Sequence, residues 1–215
     1  MYDIKACLFD LDGVIVDTAK YHYLAWKKLA DQYGFNFTIE DNERLKGVSR
    51  MDSLEILLSI GNVKVDKKTK LELAERKNNW YLEYISTIDS SEILPGVLDF
   101  IISLRENNIK IALGSVSKNA SLILKNIGMT EYFHAIIDGT KITNAKPDPE
   151  VFLLGAKELG MNPENCVVFE DAEAGIKAAK NAGMKVVGIG NSQSLMAADK
   201  LIEGFIGITL DILKF

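Results

Sequence analysis

Short apolar runs recur along this chain, with stretches of helical periodicity between them. Ile4–Phe9, Ile109–Leu113, Ala135–Ile137, Cys166–Phe169 and Val186–Ile189 are of strand length and mostly bounded by Gly, Asp, Asn or Ser. Val97–Arg105, Asn119–Ile127, Pro149–Leu159 and Ala172–Ala182 carry apolar residues at three- and four-residue spacing, which predicts helices. Such alternation predicts an α/β fold: a doubly wound parallel sheet covered by helices on both faces. One segment breaks the pattern. Between the first strand and Pro95-Gly96 the chain spends about eighty residues on helical patterns, with Tyr21–Tyr33, Met51–Ile60 and Lys67–Ile85 the clearest. That is far beyond the roughly 15 residues a structureless loop spans. It predicts a helical domain inserted after the first strand and lying over the sheet edge. The expected division is an α/β core of 1–15 and 92–215 with a helical domain of 16–91.

Composition narrows the function classes. The chain has 215 residues, 47% hydrophobic and 26% charged, enough for one sizeable core and a smaller second domain. The net charge of −5 is spread along the chain, and no Lys/Arg stripe marks a nucleic-acid partner. No apolar stretch approaches the roughly 20 residues that span a bilayer, so no membrane partner is expected. Met1–Phe9 is short and contains Asp3, unlike a signal peptide. Cys7 and Cys166 lie inside apolar runs and read as core thiols, consistent with a cytoplasmic location. Nothing demands more than a monomer.

Ligands of open parallel sheets bind beyond the carboxyl ends of the strands. Asp10-Leu11-Asp12-Gly13 follows the first run, Gly114-Ser115-Val116-Ser117 the second, and Glu170-Asp171 the fourth; Lys146-Pro147 lies between the third strand and the next helix. A carboxylate such as Asp10 can attack phosphorus and split a hard transfer into two steps. A phosphate dianion approaches it only with cations present, which suits Mg²⁺ held by Asp10, Glu170 and Asp171, with Lys146 as a second positive charge. Ser115 can donate to a phosphoryl oxygen, and Asp12 can act as general acid/base. Taken singly, Asp10-Leu11-Asp12 is an ordinary acidic loop, Ser115 a helix cap and Lys146 a surface lysine. Their convergence at one end of the sheet is what points to phosphoryl transfer.

These four motifs resemble those of the haloacid dehalogenase superfamily, and the helical insertion resembles its cap. The second acid of the first motif marks the phosphotransferase and phosphatase branch. Asp17–His22 with Ala25-Trp26, Leu45–Leu54, Arg76-Lys77-Asn78 and Ile111–Asn119 are similar to the β-phosphoglucomutase family. That resemblance implies interconversion of β-D-glucose 1-phosphate and glucose 6-phosphate, with β-glucose 1,6-bisphosphate as the activating intermediate. Asp10 would carry the phosphoryl group and Asp12 the proton. Mg²⁺ would be held by Asp10, the Asp12 carbonyl, Glu170 and Asp171. The sugar phosphate would be met by Thr18, His22, Lys46, Gly47, Val48, Arg50, Ser53, Lys77, Ser115, Val116, Ser117, Asn119 and Lys146.

Chemistry gives several of these residues a reason. A bisphosphate needs a second anion site, and the Arg50 fork suits it, with Ser117 and Asn119 as added donors. Lys46-Gly47-Val48 can bring backbone groups to the sugar. The resemblance gives His22 a role in orienting or deprotonating a sugar hydroxyl. A closing lid would exclude water from an aspartyl-phosphate. Lys146-Pro147 is a bond at which cis is tolerated. His134, Trp26 and Trp80 read as structural, Gly114 and Val116 depart from residues common in the family, and the stretch after Gly190 receives no chemical role. The alternative is a sugar-phosphate phosphatase sharing the core residues. A receiver-type signalling module is disfavoured by Asp12 and the insertion.

Overall fold

The computed structural model describes residues 4–45, 48–191 and 193–215. The strands β1 (Ala6–Phe9), β2 (Lys110–Gly114), β3 (Ala135–Ile137), β4 (Cys166–Glu170), β5 (Lys185–Ile189) and β6 (Lys200–Ile202) form a parallel sheet in the order β3-β2-β1-β4-β5-β6. Phe9 is in register with Leu113 on one side and Phe169 on the other. Asp10, Gly114-Ser115 and Glu170 therefore leave the sheet at one level, at its carboxyl end.

Alternate strand residues feed two cores, because successive side chains point to opposite faces. Cys7, Phe9, Ile111, Leu113, Val167 and Phe169 pack with Val97, Phe100, Ile101 and Leu104, and with Ile123 and Leu124. Ala6, Leu8, Ala112 and Val168 pack on the opposite face with Val151, Phe152, Ala156, Ile176 and Ala179. Phe9 and Phe169 stack with centroids 4.8 Å apart directly beneath the carboxyl end, so the floor of that end is apolar and buried.

The inserted segment holds α1 (Ala19–Gln32), α2 (Ile39–Glu43), α3 (Arg50–Ile60) and α4 (Lys67–Ile85). Each of the last three begins on a side-chain cap: Thr38 with a reciprocal Asp41, Ser49 to Asp52 N, and Asp66 to Thr69 N. Such caps satisfy amide donors that the helix leaves open and contribute about 1 kcal/mol each. Trp26, Leu29, Phe37, Leu54, Leu57, Leu58 and Leu73 close the helices on an apolar centre of their own. The segments entering and leaving the insertion are held together by Leu94 N–H donating to the Ile15 carbonyl at 2.9 Å.

The main chain then continues through α5 (Val97–Glu106), α6 (Ala120–Asn126), α7 (Glu150–Leu159) and α8 (Glu173–Asn181). Two expectations change. The insertion departs from β1, an interior strand with β2 and β4 on either side, so it stands over the middle of the carboxyl end and not over a sheet edge. A sixth strand, Lys200–Ile202, extends the sheet beyond β5; it is three residues long and its Leu201 is exposed, so no apolar run announces it. No helix among the described residues is long and apolar enough to cross a membrane. Cys7 and Cys166 are free and buried, and burial raises both thiols, Cys166 to about 11.

Candidate active site

Asp10 continues β1, and its amide N–H donates to the Phe169 carbonyl at 3.0 Å. Lys146 reaches it from the β3–α7 connection: Nζ donates to Asp10 Oδ1 at 2.5 Å and to Glu170 Oε2 at 2.8 Å. The Lys146 and Glu170 side chains are fully buried. Burial opposes the lysine's charge, but Asp10 and Glu170 outweigh it and hold the ammonium above the usual lysine range. Glu170 is pushed up to about 8 by burial, opposed by Lys146 and assisted by Asp10 and Asp171. Two carboxylates thus share one lysine.

The local chain is built to hold this geometry. The Lys146–Pro147 bond is cis. Asn181 Nδ2 donates to the Pro147 carbonyl at 3.0 Å, and the Glu150 carboxylate gathers the Thr143 and Asn144 amides. Gly175 stands against Glu170, where a Cβ would run into its carboxylate. Gly13 has φ +82°, and a Cβ there would run into the Asp171 carboxylate. Both glycines are close-approach positions.

Beside Asp10, the β2–α6 loop folds into two successive side-chain turns. Ser117 N–H donates to Ser115 Oγ at 3.1 Å, and Asn119 N–H donates to Ser117 Oγ at 3.2 Å. Each serine oxygen is an acceptor here, so each hydroxyl proton is left to point elsewhere. Asn119 opens α6 without capping it, and its Nδ2 crosses to Asn78 Oδ1 on α4 at 2.9 Å.

The insertion supplies the opposite wall. A cleft of about 1020 Å³ is lined by Asp10, Asp12, His22, Val48, Arg50, Ser53, Lys77, Ser115, Val116, Ser117, Asn119, Lys146 and Asp171. Two expected members lie outside that lining. Thr18 is fully buried, and its hydroxyl donates to Asp12 Oδ1. Glu170 lies beneath the floor. Lys46 and Gly47 lie outside the described residues. Burial, then Asp10 and Asp171, pushes Asp12 up to about 8. Lys77 Nζ sits 2.9 Å from His22 Nδ1 and 4.5 Å from the centroid of the Trp26 ring. Burial and then Lys77 and Arg50 hold His22 well below its ordinary range, so it is neutral.

Sequence reasoning passed over Tyr81, Gly175 and Glu150, and gave Asn78 no role of its own. Tyr81 follows Lys77 by one helical turn and shares its face, a signal the i, i+4 rule could have raised. The structural readings of His134, whose Nδ1 accepts from the Ile111 amide at 3.1 Å, and of Trp26, buried in the insertion, agree with their positions.

Asp10, Glu170 and Asp171 each offer a carboxylate oxygen, all within 4.8 Å of one another. A hard divalent cation fits this all-oxygen, negatively charged donor set.

A sheet carrying acids and a lysine at its carboxyl end beneath a helical insertion defines a phosphoryl-transfer class, and the family model of the haloacid dehalogenase-like hydrolases matches residues 4–183. The chain belongs to that family. Within it, the chain is 45% identical to the β-phosphoglucomutase of Bacillus subtilis (strain 168), over 98% of this chain and 94% of the relative. A crystal structure of β-phosphoglucomutase from Clostridium difficile, also 45% identical, matches with a TM-score of 0.93 over 98% of this chain and 95% of that one. A phosphorylated carbohydrates phosphatase of Thermotoga maritima is 31% identical over 93% of this chain and 91% of its own length.

Proposed function

We propose that this protein is a β-phosphoglucomutase, interconverting β-D-glucose 1-phosphate and D-glucose 6-phosphate through β-glucose 1,6-bisphosphate and a phosphorylated Asp10. The observation that carries the reading is a single cleft with cationic side chains on two walls. Asp10, Lys146 and Ser115 form one, Arg50 lies on the other, and Asp12 lines the same cleft. The 45% identity to a β-phosphoglucomutase over nearly the whole chain supports the choice of sugar.

A carboxylate oxygen of Asp10 attacks phosphorus, and the bond from phosphorus to the sugar oxygen breaks. Asp12 gives that oxygen its proton. In the return step Asp12 takes a proton from the other sugar hydroxyl, which attacks the aspartyl-phosphate and restores Asp10. Lys146 and Ser115 donate to the phosphoryl oxygens, so Lys146 leaves part of its present bonding to Asp10 as phosphate arrives. Mg²⁺ would be held by Asp10, Asp171, Glu170 and the Asp12 carbonyl, and would supply neutralisation of the phosphoryl charge. Arg50 binds the distal phosphate as a fork, and Ser117 and Asn119 add donors. Lys77 and His22 meet the sugar, as do Lys46, Gly47, Val48, Ser53 and Val116. Thr18 acts on the substrate through Asp12.

The reading includes a core of 1–15 and 92–215 with a cap of 16–91, a monomer in solution and a cytoplasmic setting. Its test is a chemical trap. Incubation with labelled β-glucose 1,6-bisphosphate and Mg²⁺ puts hydroxylamine-labile phosphate on the wild-type chain. Asp10→Asn takes up none. Equal labelling of both would remove Asp10 from its role.

A further inference from the structure

Tyr81 is a buried polar group beside Asp12 that this mechanism leaves unused. It lies on α4, is fully buried, and packs its ring 4.0 Å from that of His22. It also borders the cleft that Asp12 lines. Its hydroxyl has no hydrogen-bond partner among the described residues. A buried hydroxyl left unpaired is disfavoured, and each such group in a folded protein calls for a reason.

The reason lies next to it. The Thr18 hydroxyl lies within interaction range of the phenol oxygen and acts on its titration in the downward direction, while burial, first, and then Asp12 raise it. Thr18 is itself fully buried, and its hydroxyl is committed to Asp12. When Asp12 turns toward a sugar oxygen, the buried Thr18 hydroxyl loses its acceptor. The Tyr81 oxygen stands beside it with its lone pairs open.

We propose that Tyr81 is a positioning residue: its hydroxyl oxygen accepts the Thr18 hydrogen bond as Asp12 turns to the sugar. The swap keeps Thr18 paired in both arrangements, so releasing Asp12 costs little. Aromatic packing alone would explain the ring but leaves the hydroxyl without a function. The inference rests on the reading of Asp12 as the acid/base.

A double-mutant cycle on the Mg²⁺-loaded enzyme separates the two roles. Tyr81→Phe keeps the ring and should lower kcat about tenfold with KM changed by no more than about twofold. In a Thr18→Val background, where no hydroxyl needs a partner, the same change should have no effect. Wild-type turnover in Tyr81→Phe, or an equal loss in both backgrounds, would overturn the proposal. A crystal of the wild-type enzyme with sugar phosphate and a metal-fluoride analogue of the phosphoryl group tests it without any variant. Tyr81 Oη is expected about 3 Å from Thr18 Oγ1, and a separation beyond about 3.5 Å refutes it. If the wild-type enzyme releases phosphate without isomerising sugar, the cycle is read on phosphate release, since Asp12 serves that reaction as well. Such a result counts against the sugar assignment and not against Tyr81.

Discussion

Lys77 Nζ lies 2.9 Å from Nδ1 of His22, so a lysine and a histidine meet in a buried site where only one can be positive. Neutral His22 accepts at Nδ1, and the faces of Trp26 and Tyr81, with centroids 4.5 and 4.8 Å from Nζ, attract the charge. Burial, then Arg50, nevertheless lowers Lys77 to about 7, against a partial opposing effect of Asp12.

This shift has a sign in stability. Between about pH 7 and pH 10 the unfolded chain keeps a proton on Lys77 that the folded chain has released. The unfolded state then binds more protons, so this position favours folding more strongly as pH rises through that window. Urea midpoints of the wild type and Lys77→Met, compared at pH 6.5 and 9.5, should move apart in the wild type's favour at the higher pH. A gap independent of pH would refute the shift.

Lys146 is the only cation bonded to Asp10 and Glu170 among the described residues, and it is buried with them. Lys146→Met strands two buried acids, a loss of about 3–5 kcal/mol by the usual cost of breaking a buried pair. Calorimetry should show a large fall in Tm without divalent cation and partial recovery when Mg²⁺ is added. An unchanged Tm in metal-free buffer would contradict the ion-pair account.

Much of this architecture is legible in the sequence. Buried parallel strands are continuous apolar runs, so β1, β2, β4 and β5 stand out, and the acids, serine and lysine at their ends announce the site. What is hidden has physical causes. β6 is short and half-exposed, so it carries no apolar signature. The sheet order follows from how crossovers pack, and it places β1 inside the sheet. Tyr81 reads as one more aromatic of an amphipathic helix, because an unpaired hydroxyl is a property of three-dimensional surroundings. Gly175 matters only because Glu170 folds back against it.

That contact predicts a metal phenotype. Gly175→Ala adds a methyl where the Glu170 carboxylate stands, and α8 backbone cannot yield as a side-chain tip can. Titration with Mn²⁺ followed by electron paramagnetic resonance should show affinity at least about tenfold weaker, the range of perturbed support around ligands. Wild-type affinity would mean Glu170 is not part of the cation site.

Arg50 offers a planar fork at the cap-side wall of the cleft. Arg50→Lys keeps the charge and loses the fork, so KM for the sugar phosphate should rise roughly tenfold while kcat stays near wild type. A loss confined to kcat would place Arg50 at the reacting phosphate instead.

The most direct test of the central claim follows sugar and phosphate together. The enzyme is given Mg²⁺, β-D-glucose 1-phosphate and a trace of β-glucose 1,6-bisphosphate, and glucose 6-phosphate and free phosphate are measured in the same samples. The account predicts rapid glucose 6-phosphate formation with little phosphate released, and neither product with Asp10→Asn. Phosphate release without isomerisation would contradict it and make the protein a phosphatase.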